Sequence, residues 1–396
     1  MKKLVIKGNL ILPDRIAENG ILVIEGDRIK EVRENGPALD FMAAEIKDFY
    51  DYSGQWVSPG LIDVHLHGAL GCEVMESGVE GLKEIAAHQA ACGVTAFFPT
   101  TLTAPLEKVL SAIQAVKEAA ALDLPSEIAG IHLEGPYVSL KRKGAQDPKY
   151  LREIEDSDLR ALNKALGSLR TLITIAPEVG QNVRFIPAMV KMGWVVSIGH
   201  SDATYDEATA AIEAGASQAT HLFNAWREFH HREPGGLGAV LDSDRVFAEL
   251  IADGIHVHPS FIRLAIFRKG PERICLITDS LKAAGLADGT YDWGDMQIVL
   301  KGAEVRLKDS GVLAGSVLHL NHAIRNVLAW TGLPVPDVVR MASLTPAESV
   351  GLGNIVGSLE AGKLASLAVF NSEFETVATY LRGKKVFSER EGSEKK

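Results

Sequence analysis

Cysteine is scarce in this chain. Three occur among 396 residues, at Cys72, Cys92 and Cys275, and their spacing fits neither a disulfide framework nor a zinc finger. The opening residues 1–7 lack the apolar core of a signal peptide. We therefore expect a cytoplasmic protein.

Long apolar runs and an excess of positive charge are missing as well. No run of 18 apolar residues occurs, which excludes a transmembrane helix. The formal net charge of −10 argues against a nucleic-acid surface and against attraction to an anionic membrane. We expect neither kind of partner, and an anionic small molecule would need a local cationic pocket.

Short apolar runs alternate eight times with helical patterns from residue 56 onward, which predicts a parallel α/β sheet closed into a (β/α)8 barrel. The length of 396 residues leaves room for a smaller second domain. The eight runs are Trp56–His65, Val94–Thr100, Ile128–Glu134, Leu172–Pro177, Trp194–His200, Gln218–Leu222, Phe247–Asp253 and Ile274–Asp279.

The two flanks have a different character, with short alternating strands and glycine turns at residues 4–8, 20–29, 46–52, 365–370, 377–381 and 385–387. Neither flank has enough strands to cover its own apolar face. We predict that residues 1–55 and 357–396 pair into a small β-sandwich domain and that residues 56–356 form the barrel.

Polar residues recur where the predicted barrel strands end, and active sites of barrels are assembled at that end. A doubly wound open sheet, the rival topology, would not gather side chains from so many strands. The residues concerned are His65, His67, Glu134, His200, His221, Asp253 and Asp279.

Two of them, His65 and His67, share one face of an extended strand with Asp63. Imidazole and carboxylate ligands suit zinc, iron or another first-row divalent ion. Glu134 could bridge a site made by His65 and His67 to one made by His200 and His221. Asp279 could then orient a water, accept its proton and pass it to a leaving amine. The alternative is that these are unrelated buried polar residues whose hydrogen bonds are satisfied by backbone groups. The occurrence of six such residues at strand ends argues against that alternative.

Eight short segments around these polar residues form distinctive motifs: Pro59–Gly68, His132–Pro136, Gly199–Ala203, Thr220–Ala225, Arg232–Gly235, Ala252–Val257, Ile277–Ser280 and Leu313–Ser316. In these motifs the sequence resembles the N-acetylglucosamine-6-phosphate deacetylases of the amidohydrolase superfamily. The motifs occur in the family's order over nearly the whole chain.

The resemblance implies that Glu134, His200 and His221 hold the metal common to the family. It implies that His65 and His67 hold a second ion in members that use two, and that Asp279 is the catalytic acid and base. We expect one or two divalent ions per subunit, zinc first, with iron, manganese or cobalt as alternatives. The fourth predicted strand has no lysine to bridge two metals, which speaks against the hydantoinase-like branches.

The resemblance also implies a set of contacts to a sugar phosphate. Arg232 suits phosphate because a guanidinium grips its oxygens in bidentate fashion. In the family this arginine crosses a dimer interface, so a homodimer is implied; the alternative for Arg232 is a surface salt bridge with Glu228 or Glu233. The implied contacts are Ala145, Gln146, Asn224, Ala225, Arg232, Asp253, His256, Leu313, Ala314 and Gly315.

The implied activity is metal-dependent hydrolysis of the N-acetyl group of N-acetyl-D-glucosamine 6-phosphate, in amino-sugar metabolism. The alternatives are the galactosamine epimer of that substrate and a non-catalytic scaffold on the same fold. Gln146 stands where other members carry a histidine, and an amide, unlike an imidazole, cannot titrate.

Outside the motifs, His88 is expected to be a packing or surface residue. His319 and His322, at helical spacing, could form an accidental metal face, although we expect one packed and one exposed.

Overall fold

The computed structural model describes residues 3–34 and 48–389. Its strands are, in chain order, β1 (Lys3–Ile11), β2 (Ile16–Glu25), β3 (Arg28–Arg33), β4 (Asp48–Pro59), β5 (Leu61–Leu66), β6 (Gly68–Ala69), β7 (Cys72–Glu73), β8 (Val94–Pro99), β9 (Glu127–Ile128), β10 (Ile131–Glu134), β11 (Thr171–Ile175), β12 (Val195–Ile198), β13 (Gln218–Ala219), β14 (Phe247–Ile251), β15 (Ile274–Ile277), β16 (Gly289–Trp293), β17 (Met296–Lys301), β18 (Glu304–Leu307), β19 (Leu367–Phe370), β20 (Thr376–Leu381) and β21 (Lys384–Ser388).

Helices separate most of the strands in the middle of the chain. None of those in the described ranges has the length and apolar character needed to cross a membrane. They are α1 (Gly78–Ala91), α2 (Leu106–Ala120), α3 (Asp156–Leu166), α4 (Ile186–Lys191), α5 (Tyr205–Ala214), α6 (Gly235–Asp242), α7 (Pro259–Lys269), α8 (Leu320–Thr331), α9 (Val335–Met341) and α10 (Leu344–Ser349).

The middle of the chain forms the predicted (β/α)8 barrel. β10 to β15 pair in sequence order as one parallel sheet, and β5 pairs with β8 in parallel. Two parallel bridges close the ring: Thr100 with His132 joins β8 to β10, and Leu66 with Ser280 joins the ends of β5 and β15. Closure brings the carboxyl ends of eight strands to one rim.

The barrel strands are buried on both faces, as expected for parallel strands covered by helices. Every residue of β5, β8, β10, β11 and β15 is buried. The surrounding helices follow local rules. For example, α5 starts in a capping box between Thr204 and Glu207 and ends at Gly215 with a φ of 119°. These local signals explain why the helical segments could be located in the sequence.

Both ends of the chain pair in one seven-stranded sheet, with the strand order β21-β20-β19-β4-β1-β2-β3. The predicted pairing of the two flanks is confirmed. Its core takes Ile24 and Ile29 from β2 and β3 at one side and Ala378 and Tyr380 from β20 near the other, so one apolar cluster joins strands from both chain ends. Part of the predicted strand over 46–52 lies outside the described residues. The domain boundaries at 55/56 and 356/357 stay predictions.

The first predicted barrel strand, Trp56–His65, is two strands in the structure. β4 runs to Pro59 in the terminal sheet, where it pairs with β19, and β5 starts at Leu61 in the barrel. Gly60 sits between them because a Cβ there would lie 2.1 Å from the Thr95 hydroxyl oxygen. The Pro59-Gly60 pair was the available signal, because a Pro-Gly dipeptide marks a break in a strand.

An antiparallel sheet of β16, β17 and β18 follows the eighth barrel strand and was not predicted from the sequence. It has a small core of its own, in which Trp293, Ile298 and Leu300 pack against Leu281 from the loop after β15. This sheet lies beside the rim where the barrel strands end.

Candidate active site

The carboxylate of Glu134, at the end of β10, is the centre of the site. It is buried, and its Oε1 lies 3.0 Å from His221 Nε2, 3.2 Å from His200 Nε2 and 3.6 Å from His65 Nε2. Its Oε2 lies 3.4 Å from His67 Nε2. The structure therefore brings together the five residues that the sequence nominated as metal ligands.

Asp279 follows β15 and completes the group. Its Oδ1 lies 3.2 Å from His67 Nε2 and 3.5 Å from His65 Nε2. Its backbone N–H donates to the carbonyl of His65 at 2.9 Å, a contact made possible by closure of the barrel between β15 and β5. The carboxylate consequently faces the same space as the imidazoles.

The outer nitrogens of three of the four imidazoles, those of His65, His67 and His200, are held by neighbours, which sets the direction of each ring. The outer nitrogen of the fourth, His221 Nδ1, is buried without a hydrogen-bond partner among the described residues. His200 Nδ1 lies 2.8 Å from the carbonyl oxygen of Arg142, and His67 Nδ1 lies 3.1 Å from that of Thr100. Since a carbonyl oxygen only accepts, each of these two Nδ1 atoms carries a proton, and each Nε2, which faces the centre, offers a lone pair to a cation when the ring is neutral.

A buried carboxylate below the site holds the third ring. Glu249, in β14, has its Oε2 2.9 Å from His65 Nδ1, and its Oε1 accepts a hydrogen bond of 2.7 Å from Gln218 Nε2. The sequence analysis did not single out Glu249. An acidic residue inside the apolar strand Phe247–Ile251 was the available signal, because a buried charge needs a partner.

The donor set fits one or two divalent cations. His65 Nε2 is buried without a hydrogen-bond partner, and the Nε2 atoms of His200 and His221 lie 3.1 Å apart beside the same oxygen of Glu134. In each of two groups the ligand atoms lie within 4.8 Å of one another: His65, His67 and Asp279, and Glu134, His200 and His221. Nitrogen and oxygen donors in this arrangement are typical of zinc and related ions.

The electrostatic interactions among these side chains also favour a bound cation. Burial disfavours a charged imidazole, but the neighbouring carboxylates of Asp279 and Glu134 outweigh it and raise the pKa of His65 to about 9. The same balance raises the pKa of His67 to about 10. Burial works against the charged form of Glu134, yet the imidazoles hold its pKa well below the usual range. The centre is thus a place of negative potential that favours positive charge.

Three of the central residues have left-handed backbone conformations, with φ of 47° at His200, 29° at His221 and 51° at Asp279. Such values are uncommon outside glycine and cost free energy. Each of the three lies two residues after the end of a barrel strand, where the chain turns at the rim.

A cavity of about 210 Å³ opens above this centre. Its walls include seven of the predicted sugar-phosphate contacts, namely Ala145, Gln146, Asn224, Ala225, His256, Leu313 and Gly315. The sequence analysis missed other wall residues, among them Leu102, Gly144 and Trp293 of β16. Trp293 could not be placed because the sheet to which it belongs was not predicted.

The three remaining predicted contacts do not line the cavity of the single chain. Asp253 lies behind it, where its Oδ2 is 2.6 Å from His256 Nδ1, and Ala314 is buried. Arg232 is exposed, and its Nη1 lies 2.8 Å from His231 Nε2. Within the described residues Arg232 forms no salt bridge, and the nearby Glu233 pairs with Arg227 instead.

Gln146 connects the cavity wall to the centre. Its Oε1 accepts a hydrogen bond from Thr103 N at 2.8 Å, which orients the amide, and its Nε2 donates to Glu134 Oε2 at 2.7 Å. The amide therefore holds the carboxylate in place, a function that does not require a titrating side chain.

Comparisons with known proteins agree with this geometry. The model of the amidohydrolase family matches residues 56–388. The chain is 40% identical over 330 residues to N-acetylglucosamine-6-phosphate deacetylase of Vibrio furnissii, covering 83% of this chain and 82% of that one. It is 37% identical over 326 residues to N-acetylgalactosamine-6-phosphate deacetylase of Escherichia coli O157:H7, covering 82% and 86%.

A solved structure is similar over almost the full length. It is an aspartate-to-alanine variant of N-acetyl-D-glucosamine-6-phosphate deacetylase from Mycobacterium smegmatis, in complex with N-acetyl-D-glucosamine-6-phosphate. The TM-score is 0.91 with 32% sequence identity, over 98% of this chain and 100% of that one.

The contact between Glu249 and His65 predicts a measurable effect on metal affinity. In Glu249→Gln the charged acceptor of the His65 Nδ1 proton is lost while the volume is kept. Loss of such an outer partner typically weakens metal binding by about 10–100-fold. Metal content after dialysis against graded chelator concentrations measures the change. Glu178→Gln, a half-buried carboxylate that accepts from Ser201, is the matched control. Wild-type affinity in Glu249→Gln would contradict the assigned support.

Proposed function

Because the chain belongs to the amidohydrolase family, whose members are metal-dependent hydrolases, we propose that it hydrolyses the acetamide of N-acetyl-D-glucosamine 6-phosphate. The products are D-glucosamine 6-phosphate and acetate. The convergence of four imidazoles and two carboxylates below a cavity, in a chain similar to deacetylases over most of its length, carries the proposal. We also propose a cytoplasmic location, supported by three free cysteines.

The proposed ligands are Glu134, His200 and His221 for one ion and His65 and His67 for a second, with Glu134 shared. Zinc is the first candidate for this donor set, and iron, manganese and cobalt are the alternatives. A divalent ion bound here would polarise the acetyl carbonyl and lower the pKa of water. The intact ligand set speaks against a non-catalytic scaffold.

Asp279 is the proposed acid and base. Its carboxylate accepts a proton from the attacking water, holds that proton on an oxygen, and returns it to the nitrogen as the C–N bond breaks. The support is the position of Oδ1, which lies 3.2 Å from His67 Nε2 and lines the cavity. One proton moves from water to amine, and the hydroxyl of water ends on acetate.

The cavity wall is proposed to hold the sugar. Asp253 fixes the His256 ring through Nδ1, so that Nε2 is left to meet a hydroxyl or phosphate oxygen. Residues 145–146, 224–225 and 313–315 would enclose the rest of the ring, with Ala314 supporting the last segment from behind. Arg232 is proposed to bind the phosphate of a second copy of the chain in a homodimer. Its exposure and lack of an acidic partner in the described residues support this assignment.

The galactosamine epimer remains the second candidate, since one of the relatives is an N-acetylgalactosamine-6-phosphate deacetylase. We expect faster acetate release, judged by kcat/KM, from N-acetylglucosamine 6-phosphate than from its 4-epimer. Both are assayed on one preparation whose metal content is measured in parallel. A preference for the galactosamine substrate would reverse the assignment, and release from neither by metal-loaded protein would refute the deacetylase function.

Asp279→Asn tests the acid and base. The amide keeps the shape and tolerates the left-handed backbone, but it cannot carry the proton, so we expect kcat to fall by about 10²–10⁴-fold or more. Metal content should stay largely unchanged because all five proposed ligands remain. Asp147→Asn, next to the cavity wall residue Gln146, should keep nearly full kcat. Turnover at the wild-type rate in Asp279→Asn would show that Asp279 is not the catalytic acid and base.

Arg232→Ala tests phosphate recognition across the proposed dimer. We expect a higher KM for the phosphorylated sugar and no change for N-acetylglucosamine itself, because only the phosphate loses a partner. Arg245→Ala, another exposed arginine, is the control. An equal effect on both sugars would contradict the assignment.

Mixing two variants shows whether Arg232 acts in trans. After subunit exchange between Arg232→Ala and Asp279→Asn chains, half of the dimers are mixed, and each has one complete site. At substrate concentrations well below the KM of Arg232→Ala, activity should recover to about a quarter of wild type. If no activity is recovered after confirmed exchange, the arginine does not cross between subunits.

A further inference from the structure

A second group of metal-ligand side chains lies between α1 and the start of α8. His88 and Cys92 are four residues apart at the end of α1, so they share one face of the helix. His319 is the residue that precedes α8. The ligand atoms of these three residues lie within 4.8 Å of one another, and none of the three belongs to the group around Glu134.

The distances within this group are close to those of a bound ion. His88 Nε2 lies 3.9 Å from Cys92 Sγ, and the rings of His88 and His319 have centroids 5.0 Å apart. Zn–N bonds of about 2.1 Å and Zn–S bonds of about 2.3 Å at a tetrahedral angle would place nitrogen and sulfur roughly 3.6 Å apart. A small rotation of side chains would therefore close the group around a metal.

The imidazoles are in the form that binds metals. Burial, helped by the neighbouring imidazoles, lowers the pKa of His319 to about 3, and burial also lowers the pKa of His88. The half-buried His319 ring has no hydrogen-bond partner within residues 3–34 and 48–389, so its nitrogens are available to a metal ion.

Cys92 would supply the anionic ligand. Burial raises the pKa of its thiol to about 12, so an ion has to displace the proton: Cys92–SH and a divalent cation give the metal thiolate and one H⁺.

His322 is the nearest further imidazole, with its ring centroid 5.1 Å from that of His319. Both His319 and His322 are half-buried, so the expectation of one packed and one exposed ring is wrong.

We propose that His88, Cys92 and His319 bind one divalent cation of the zinc class, with the fourth position completed by His322 or water. The ion would cross-link two barrel helices. α1 follows β5, and α8 packs against β5 and β15, the two strands between which the barrel closes. This site is independent of the proposed deacetylase activity, because it shares no ligand with the catalytic group.

Cobalt(II) distinguishes this site from the catalytic one. Only a thiolate ligand produces an intense sulfur-to-cobalt charge-transfer band in the near ultraviolet, and no cysteine lies among the ligands around Glu134. The full chain, freed of metal and titrated with Co²⁺, should develop this band and release one proton per ion bound at the site. Absence of the band at cobalt loadings that saturate the protein would overturn the proposal.

Variants identify the ligands. Cys92→Ser and His319→Gln should each lose the band and bind one ion fewer per chain. Deacetylase kcat at saturating metal should stay near the wild-type value in both. Cys275→Ala removes another buried thiol, that of β15, and should keep the band. A band that survives in Cys92→Ser, or disappears in Cys275→Ala, would refute the assignment. The wild-type titration decides the question even if a variant fails to fold.

Discussion

The buried carboxylate of Glu134 requires compensating charge and hydrogen bonds from the residues around it. It lies within 3.6 Å of four imidazole nitrogens, and its charge is far from water. Burying a carboxylate costs several kcal/mol unless opposite charge and hydrogen bonds compensate. The amide of Gln146 supplies one such bond and protonated imidazoles or a cation supply the charge. The barrel fold is suited to this demand because closure brings donors from several strands to one point.

Support for the centre extends downward through the barrel as a layer of paired polar side chains. Glu249 contacts the outer nitrogen of His65, and Asp63 accepts a hydrogen bond of 2.6 Å from Thr278 next to Asp279. A partly satisfied polar network inside a barrel would be destabilising, so each pairing matters for stability as well as for orientation. The arrangement explains why a barrel interior that is mostly apolar contains carboxylates one layer below the rim.

The sequence predicted the parts of the molecule that local patterns encode. The alternation of apolar strands and helices predicts the barrel, and polar residues at strand ends predict which side chains converge on one point, because both follow from chain geometry. The Pro59-Gly60 pair marks a break, but the change of sheet there could not be read from it, since that change depends on the close approach to Thr95, 35 positions along the chain. The positions of Glu249 beside His65 and of Trp293 in the cavity wall were missed for the same reason, because only the tertiary fold brings these residues near the site. Arg232 was nominated by resemblance alone, and its function needs a second chain.

The direct passage from β4 into β5 has a mechanical consequence. Pro59 is the last residue paired with the terminal sheet, only Gly60 separates it from the barrel strand, and His65 lies five residues beyond Gly60. Since no longer linker separates the two sheets, the terminal sheet has no hinge about which to swing relative to the candidate ligand His65 on β5. Any rotation of that sheet would pull directly on His65 and His67. The terminal sheet is therefore rigidly attached to the first barrel strand, so a substitution that shifts this sheet would also shift His65, even though none of the sheet's described strands contributes a residue to the cavity wall.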